Sequence, residues 1–121
     1  MKMATLNIGK EFSIDPVGRY YSDSDASGEK FREEILRKKI NALSENEKLT
    51  IILDDGVEAY GSSFLTEGFA GMVKYGYITS QELLGKIDIQ FSDEDFFFYK
   101  EKVIQYIKEA KYNSEEYQST K

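Results

Sequence analysis

Two adjacent hydroxyls stand in the stretch Tyr60-Gly61-Ser62-Ser63-Phe64-Leu65, between a short apolar run and an apolar-periodic one. Three kinds of chemistry use serine at such a corner: nucleophilic attack, capping of a helix, and acceptance of a phosphoryl group. A nucleophile needs a base to take its proton and donors to hold an oxyanion. The chain has no histidine and no cysteine, which excludes a Ser-His-Asp triad, a cysteine nucleophile, disulfides and imidazole or thiolate zinc sites. Neither serine opens a Ser-x-x-Lys, and Gly-Ser-Ser-Phe lacks the Gly-x-Ser-x-Gly elbow, so hydrolysis is not expected. A cap is worth ~1 kcal/mol to the helix and uses one hydroxyl. Ser62 is assigned the cap, which leaves Ser63 facing solvent near the positive end of the helix dipole, where an added phosphate is tolerated.

Around this corner Asp55, Glu58, Tyr60, Phe64 and Glu67 form a candidate interaction surface, with Tyr60 and Phe64 as aromatic anchors. The pair Asp54-Asp55 ends the apolar run, where two carboxylates could hold a hard cation. Its place reads instead as solvated loop charge, and neither a metal nor another cofactor is expected. A second candidate site is an anion site: Arg19 offers a planar fork, and Ser27-Gly28 at a helix start offers free N–H groups. The competing reading pairs Arg19 with a carboxylate and lets Asp25 or Ser27 cap that helix. No glycine-rich nucleotide loop of known spacing occurs.

These residues need elements to hold them. With 121 residues the chain can build one core, expected over 1–111, with a polar, frayed tail at 112–121. Its 22 acidic against 16 basic residues, net −6, disfavour nucleic acid and anionic membranes as partners. No run approaches a membrane span, and MKMATLNIGKEF lacks a signal-peptide run, so a cytoplasmic protein is expected. Loose alternation over Thr5–Ile14 predicts a strand or hairpin, and Val17–Tyr21 a short strand. Phe31, Ile35, Leu36, Ile40 and Leu43 predict an amphipathic helix from about Ser27. Leu49–Leu53, apolar on both faces, predicts a central strand of a parallel arrangement.

After the corner, Phe64, Leu65, Phe69, Met72 and Val73 predict a helix that Gly76 stops. Gly68 and Gly71 each cost that helix ~1 kcal/mol, which points to close packing against the sheet. Thr79-Ser80-Gln81-Glu82 is a capping box for a short helix through Leu84, and Ile87, Ile89 and Phe91 alternate as a strand. Phe96, Phe97, Val103, Ile104 and Ile107 mark the last helix. The sum is an α/β fold with a four- to five-stranded mixed sheet. Its carboxyl edge would carry Asp54, Asp55, Glu58, Ser62, Ser63, Ser92, Asp93, Glu94 and Asp95.

The order of elements, and Ser-Ser-x-Leu at the helix start after a buried strand, resemble STAS-type domains, the anti-sigma-factor antagonists. GRYYSDSDASGEKFRE followed by LDDGVEAYGSSFLTEGFAGMV resembles more closely the STAS-like domains of unknown function found in bacteria and their mobile elements. The resemblance spans about Thr5 to Ile107. Antagonists carry Asp-Ser-Ser-Gly-Leu, and a partner kinase that is also the anti-sigma factor phosphorylates the second serine. Ser62 matches the first serine, Ser63 the phosphorylated one and Leu65 the leucine, while Gly61 and Phe64 replace the aspartate and glycine. The resemblance implies a non-catalytic regulatory interaction module switched at Ser63 or Ser62, with a kinase-like or ATPase regulator as protein partner. The residues alone leave open the alternative of a small-anion or nucleotide-binding module using Arg19, Ser27 and Gly28.

Overall fold

In the computed structural model, which describes residues 4–121, three segments are strands: β1 (Ala4–Asn7), which buries Leu6, and β2 (Leu49–Ile52) and β3 (Ile87–Gln90), which bury every second side chain. Met1, Lys2 and Met3, the first residues of the opening read as lacking a signal peptide, lie outside the described residues. The strands form a parallel sheet of order β1-β2-β3, with Leu6 opposite Ile51 and Ile51 opposite Ile89. That register places Leu6, Leu49, Ile51, Ile87 and Ile89 on one covered face. On the other, Thr5 and Asp88 are exposed and Thr50 and Ile52 half-buried, so β2 is central but not covered on both sides as its composition suggested.

Among the described residues the sheet thus has three strands, all parallel, where a mixed sheet of four or five was expected. The difference has local causes. Asn7 leaves β1 and its side chain accepts a hydrogen bond from Lys10 N at 3.1 Å, capping a single helical turn, α1 (Ile8–Glu11), where a hairpin was expected. Val17–Tyr21 is no strand because its polar groups are spent elsewhere. Val17 N donates to Ala26 O, and the carbonyls of Gly18 and Arg19 each accept at 2.9 Å from Gly28 N and Glu29 N.

Two helices dominate the covered side. α2 (28–41) is a continuous run whose middle, Arg32–Leu36, is wound as a π-helix. α3 (62–74) is likewise π-wound over Thr66–Ala70 and lies between α2 and α5 (Phe97–Glu109). α4 (Ser80–Lys86) has the expected Thr79 cap, with Glu82 N donating to Thr79 Oγ1 at 3.2 Å, and runs past Gly85 straight into β3. Gly76, at φ +80°, follows the end of α3 as expected. Before α5 a 3-10 turn, Glu94–Phe96, buries Phe96, whereas Phe97 is half exposed and not part of the core.

Phe31 joins α2 to α3, its ring 5.4 Å from Phe64 and 5.3 Å from Phe69. Fully burying one such side chain contributes roughly 1.5–3 kcal/mol. The glycines of α3 let α2 come close, so their packing is helix on helix and not helix on sheet. A Cβ on Gly28 would fall 2.6 Å from the Phe64 carbonyl oxygen, and one on Gly71 2.6 Å from Arg32 Nη1. Residues 112–121 are not frayed: Asn113 N and Glu115 N donate to the last carbonyls of α3, Val73 O at 2.9 Å and Lys74 O at 3.2 Å.

Candidate functional site

All three strands deliver their carboxyl ends to one edge, and the acidic pair after β2 ties that edge together. Asp55 Oδ2 accepts from Asn7 Nδ2 at 2.7 Å, reaching the end of β1, and Lys10 Nζ stands 3.5 Å away. The hydrogen bond from Asn7, aided by Lys10, holds the Asp55 carboxyl below its ordinary range. Asp54 Oδ2 accepts from the backbone N–H groups of Ser92 at 2.8 Å and Asp93 at 2.7 Å, reaching the end of β3. The pair is therefore a clamp between strand ends rather than free solvated charge. Among the described residues no group of three or more carboxylates is placed to hold a metal ion.

Next along the chain, Tyr60 is buried and donates its hydroxyl to Leu53 O at 2.6 Å, pinning the loop between β2 and α3. Burial, with the charge of Asp54, raises its pKa. Gly61, with extended φ −80° and ψ 147°, is the N-cap of α3, and no side chain caps this helix. Ser62 and Ser63 stand one and two positions inside it, so the expected cap at Ser62 is absent. The extended turn falls one residue earlier than the serines require. Ser62 is exposed and Ser63 half-buried, and neither hydroxyl makes a hydrogen bond among the described residues. Of the expected interaction surface, Asp55 and Glu58 are exposed beside this corner, while Tyr60, Phe64 and Glu67 are buried and cannot contribute to it. Phe64 enters the aromatic core, and Glu67 turns toward α2.

The expected anion site is filled by the chain itself. Ser27 is fully buried and caps α2 by accepting from Lys30 N at 3.2 Å. Ser27-x-x-Lys30 has a Ser-x-x-Lys spacing that sequence reasoning passed over, and this capping role accounts for it. The N–H groups of Gly28 and Glu29 are taken by the Gly18 and Arg19 carbonyls, and Gly28 is pressed against Phe64 O. Arg19 faces Glu67, with Nη1 3.9 Å from Oε1.

Sequence reasoning missed the buried charge cluster that the two π-wound segments bring together. Arg32 is wholly buried, donating from Nη1 to Glu67 Oε2 at 2.7 Å and Glu67 O at 2.8 Å, and from Nε to Glu33 Oε2 at 2.8 Å. Burial works against its charge, but the hydrogen bonds to Glu33 and Glu67 prevail and raise its pKa. Glu33 also accepts from Arg37 at 3.0 Å and from the Tyr77 hydroxyl at 2.8 Å, and Glu67 accepts from the Tyr75 hydroxyl at 2.9 Å. Tyr75 and Tyr117 lie 4.6 and 4.9 Å from the Arg32 guanidinium. Their ring centres are 5.4 Å apart, so they meet it as a corner and not as a sandwich. A readable signal existed: Gly28, Arg32, Leu36 and Ile40, four apart, put a charge in the middle of an apolar stripe.

No helix among the described residues is long and apolar enough to cross a membrane. No curated protein and no solved structure matches the chain. A family match covers residues 27–95, more than half of the chain, from the cap of α2 through β2, the serine corner, α3, α4 and β3 to the Asp93 turn. With the α/β architecture it spans, that match shows that the chain belongs to the family of STAS-like domains of unknown function.

Proposed function

We propose that this chain is a non-catalytic, cytoplasmic regulatory module that works by binding another protein at the start of α3, and that phosphorylation of Ser63, with Ser62 as the second acceptor, switches that binding. The observation that carries the reading is the uncapped helix: two hydroxyls without hydrogen bonds stand in the first turn of a 62–74 helix, beside the carboxyl edge of the sheet. A phosphate there adds about −1.5 to −2 charges facing free N–H groups of the first turn. Attraction to the helix start is worth ~0.3–1 kcal/mol at a surface position such as Ser62, while Ser63 is half-buried and not open to solvent as its sequence suggested. Asp55 and Glu58 oppose it, but Glu67 is turned inward, so less negative charge surrounds the corner than its sequence suggests. The fold itself barely registers the change, whereas a docked partner must desolvate it. A kinase-like or ATPase regulator fits the resemblance of Ser62-Ser63-x-Leu65 to the antagonists.

The absence of catalysis is supported by the lack of histidine and cysteine and by the engagement of Asp54 and Asp55 as strand clamps. Affinity capture from the native cell, with mass mapping of phosphosites, identifies the partner and the modification together. Calorimetry with that partner should then show Ser63→Ala binding like wild type and Ser63→Glu binding at least ten-fold differently. Equal affinities for all three would sink the switch. Because neither serine caps, Ser62→Ala and Ser63→Ala should both leave stability within about 0.5 kcal/mol of wild type in thermal melts.

A further inference from the structure

Residues 112–121 form neither helix nor strand, and all but Tyr117 are exposed, yet the segment closes over groups that the rest of the protein leaves unsatisfied. Glu29, in the first turn of α2, is 1 % exposed. Its Oε2 accepts from the Tyr117 hydroxyl at 2.6 Å and from Thr120 N at 3.0 Å, and its Oε1 accepts from the Thr120 hydroxyl. Among the described residues, only Tyr21 N, at 3.1 Å and shared with Thr120 Oγ1, serves this carboxylate from outside the segment. Alongside, Arg32 Nη2 is buried without a hydrogen-bond partner among the described residues, and the Tyr117 ring closes against that guanidinium next to Tyr75. A buried carboxylate stripped of its donors is costly, so these groups require an occupant.

We propose that Glu29, Arg32, Tyr21 and Tyr75 form a docking groove for an extended peptide segment that presents a tyrosine and, three residues later, a threonine, and that 112–121 is a strap occupying this groove in cis until a partner protein's segment of the same chemistry replaces it. The tyrosine hydroxyl and ring supply a donor to Glu29 and a face to Arg32. The threonine supplies a hydroxyl and an amide to the same carboxylate. Replacement is within reach because every anchoring residue of the strap except Tyr117 is exposed. Beside Tyr117 and Thr120 at Glu29 and the Tyr117 ring at Arg32 and Tyr75, it is held by Thr120 Oγ1 accepting from Tyr21 N at 3.1 Å, the Lys74–Glu115 and Lys121–Glu34 ion pairs at 2.8 and 3.9 Å, and the two amides on α3. Segments so exposed open locally while the core stays intact. This groove shares no residue with the serine corner, and the inference stands whether or not Ser63 is a switch.

The test uses the intact 121-residue chain and a fluorescent peptide of residues 111–121. Tyr117→Ala with Thr120→Val loosens the strap and should bind the peptide at least ten-fold tighter than wild type, whose groove is filled. Adding Glu29→Gln to that variant should abolish binding. Equal affinity for wild type and variant, or no binding by a variant that still melts cooperatively, would overturn the proposal. Dimers of wild type that vanish in Tyr117→Ala would assign the groove to a second copy and overturn it for a separate partner. Native-state hydrogen exchange on wild type gives a reading independent of any variant. The amides of Asn113, Glu115 and Thr120 should exchange at least 100-fold faster than that of Ile51, and equal protection would defeat a replaceable strap.

Discussion

Arg32 gives up all contact with water, and its place is tolerable only because Glu67 and Glu33 stand within hydrogen-bond reach. Removing one member of such a pair leaves a buried charge without compensation, which costs about 3–5 kcal/mol, whereas removing both with apolar groups of similar size is often neutral. Glu67 keeps the Tyr75 hydroxyl and has Arg19 at 3.9 Å, so Arg32→Met should lose about 3 kcal/mol, the low end of that range, in urea denaturation, and Arg32→Met with Glu67→Met should recover much of that loss. Glu33 keeps Arg37 and Tyr77 in either variant, so its carboxylate does not cause the loss. A double variant no more stable than the single one would mean that packing around the guanidinium, not its charge, is what matters. At this scale the sequence was only partly legible. It offered Asp25 or Ser27 as the cap of α2, of which Ser27 is the one, but assigned Ser62 a cap because the one-residue position of an extended turn is not written in residue types.

Elements were legible where one period governs a segment. Leu6, Leu49, Ile51, Ile87 and Ile89 alternate, and the Thr79-x-x-Glu82 box marks the start of α4. The expected extra strands failed where a local side chain, Asn7, or a loop carbonyl, Gly18 or Arg19, captured the backbone groups that a sheet would need. The π-wound stretches were illegible because each covers five residues, about a single turn, too short to display a period of its own. Two glycines in helices show how packing overrides propensity. Gly85 in α4 has nothing within 4 Å of where a Cβ would stand, so Gly85→Ala should gain up to about 1 kcal/mol. Gly71 has the Arg32 guanidinium at 2.6 Å, and Gly71→Ala should lose about 1–3 kcal/mol despite the better helix former. Thermal melts of both variants check the contrast, and equal effects would contradict the close approach of α2 and α3.

For the molecule as a whole, the strap was the least legible part, since its contacts with Glu29 join residues 88 and 91 positions apart and leave no local period. Its attachment should depend on pH at both extremes. Burial pushes the Glu29 carboxyl up, but hydrogen bonds from Thr120, Tyr117 and Tyr21 N outweigh it and hold the group below its ordinary value. Stability from that depression is present above the unfolded carboxylate range and is lost as pH falls through the lowered folded value. Burial and the Glu29 hydrogen bond push the Tyr117 hydroxyl up to about 12. Its contribution is complete below the unfolded tyrosine value of ~10 and is lost as pH rises toward about 12. The hydroxyls of Tyr21, Tyr60, Tyr75 and Tyr77 are pushed up as well, so Tyr117→Phe should weaken the alkaline limb without abolishing it and leave most of the acid limb, read from urea denaturation across pH; an unchanged alkaline limb would place that titration elsewhere.

The same 88-residue separation between Tyr117 and Glu29 also sets an order of events in time. Closing so long a loop is entropically unfavourable and brings few contacts in return, so the strap has little reason to be in place at the folding barrier. On a ribosome, the stretch from α2 to β3 leaves the tunnel before Tyr117 does, and a nascent chain would spend an interval with its groove open. Tyr117→Ala should thus leave the refolding rate of the chain unchanged and quicken unfolding, the kinetic mark of a contact made after the transition state. Stopped-flow chevrons of wild type and Tyr117→Ala test it: a slowed refolding limb would place the strap in the nucleus instead.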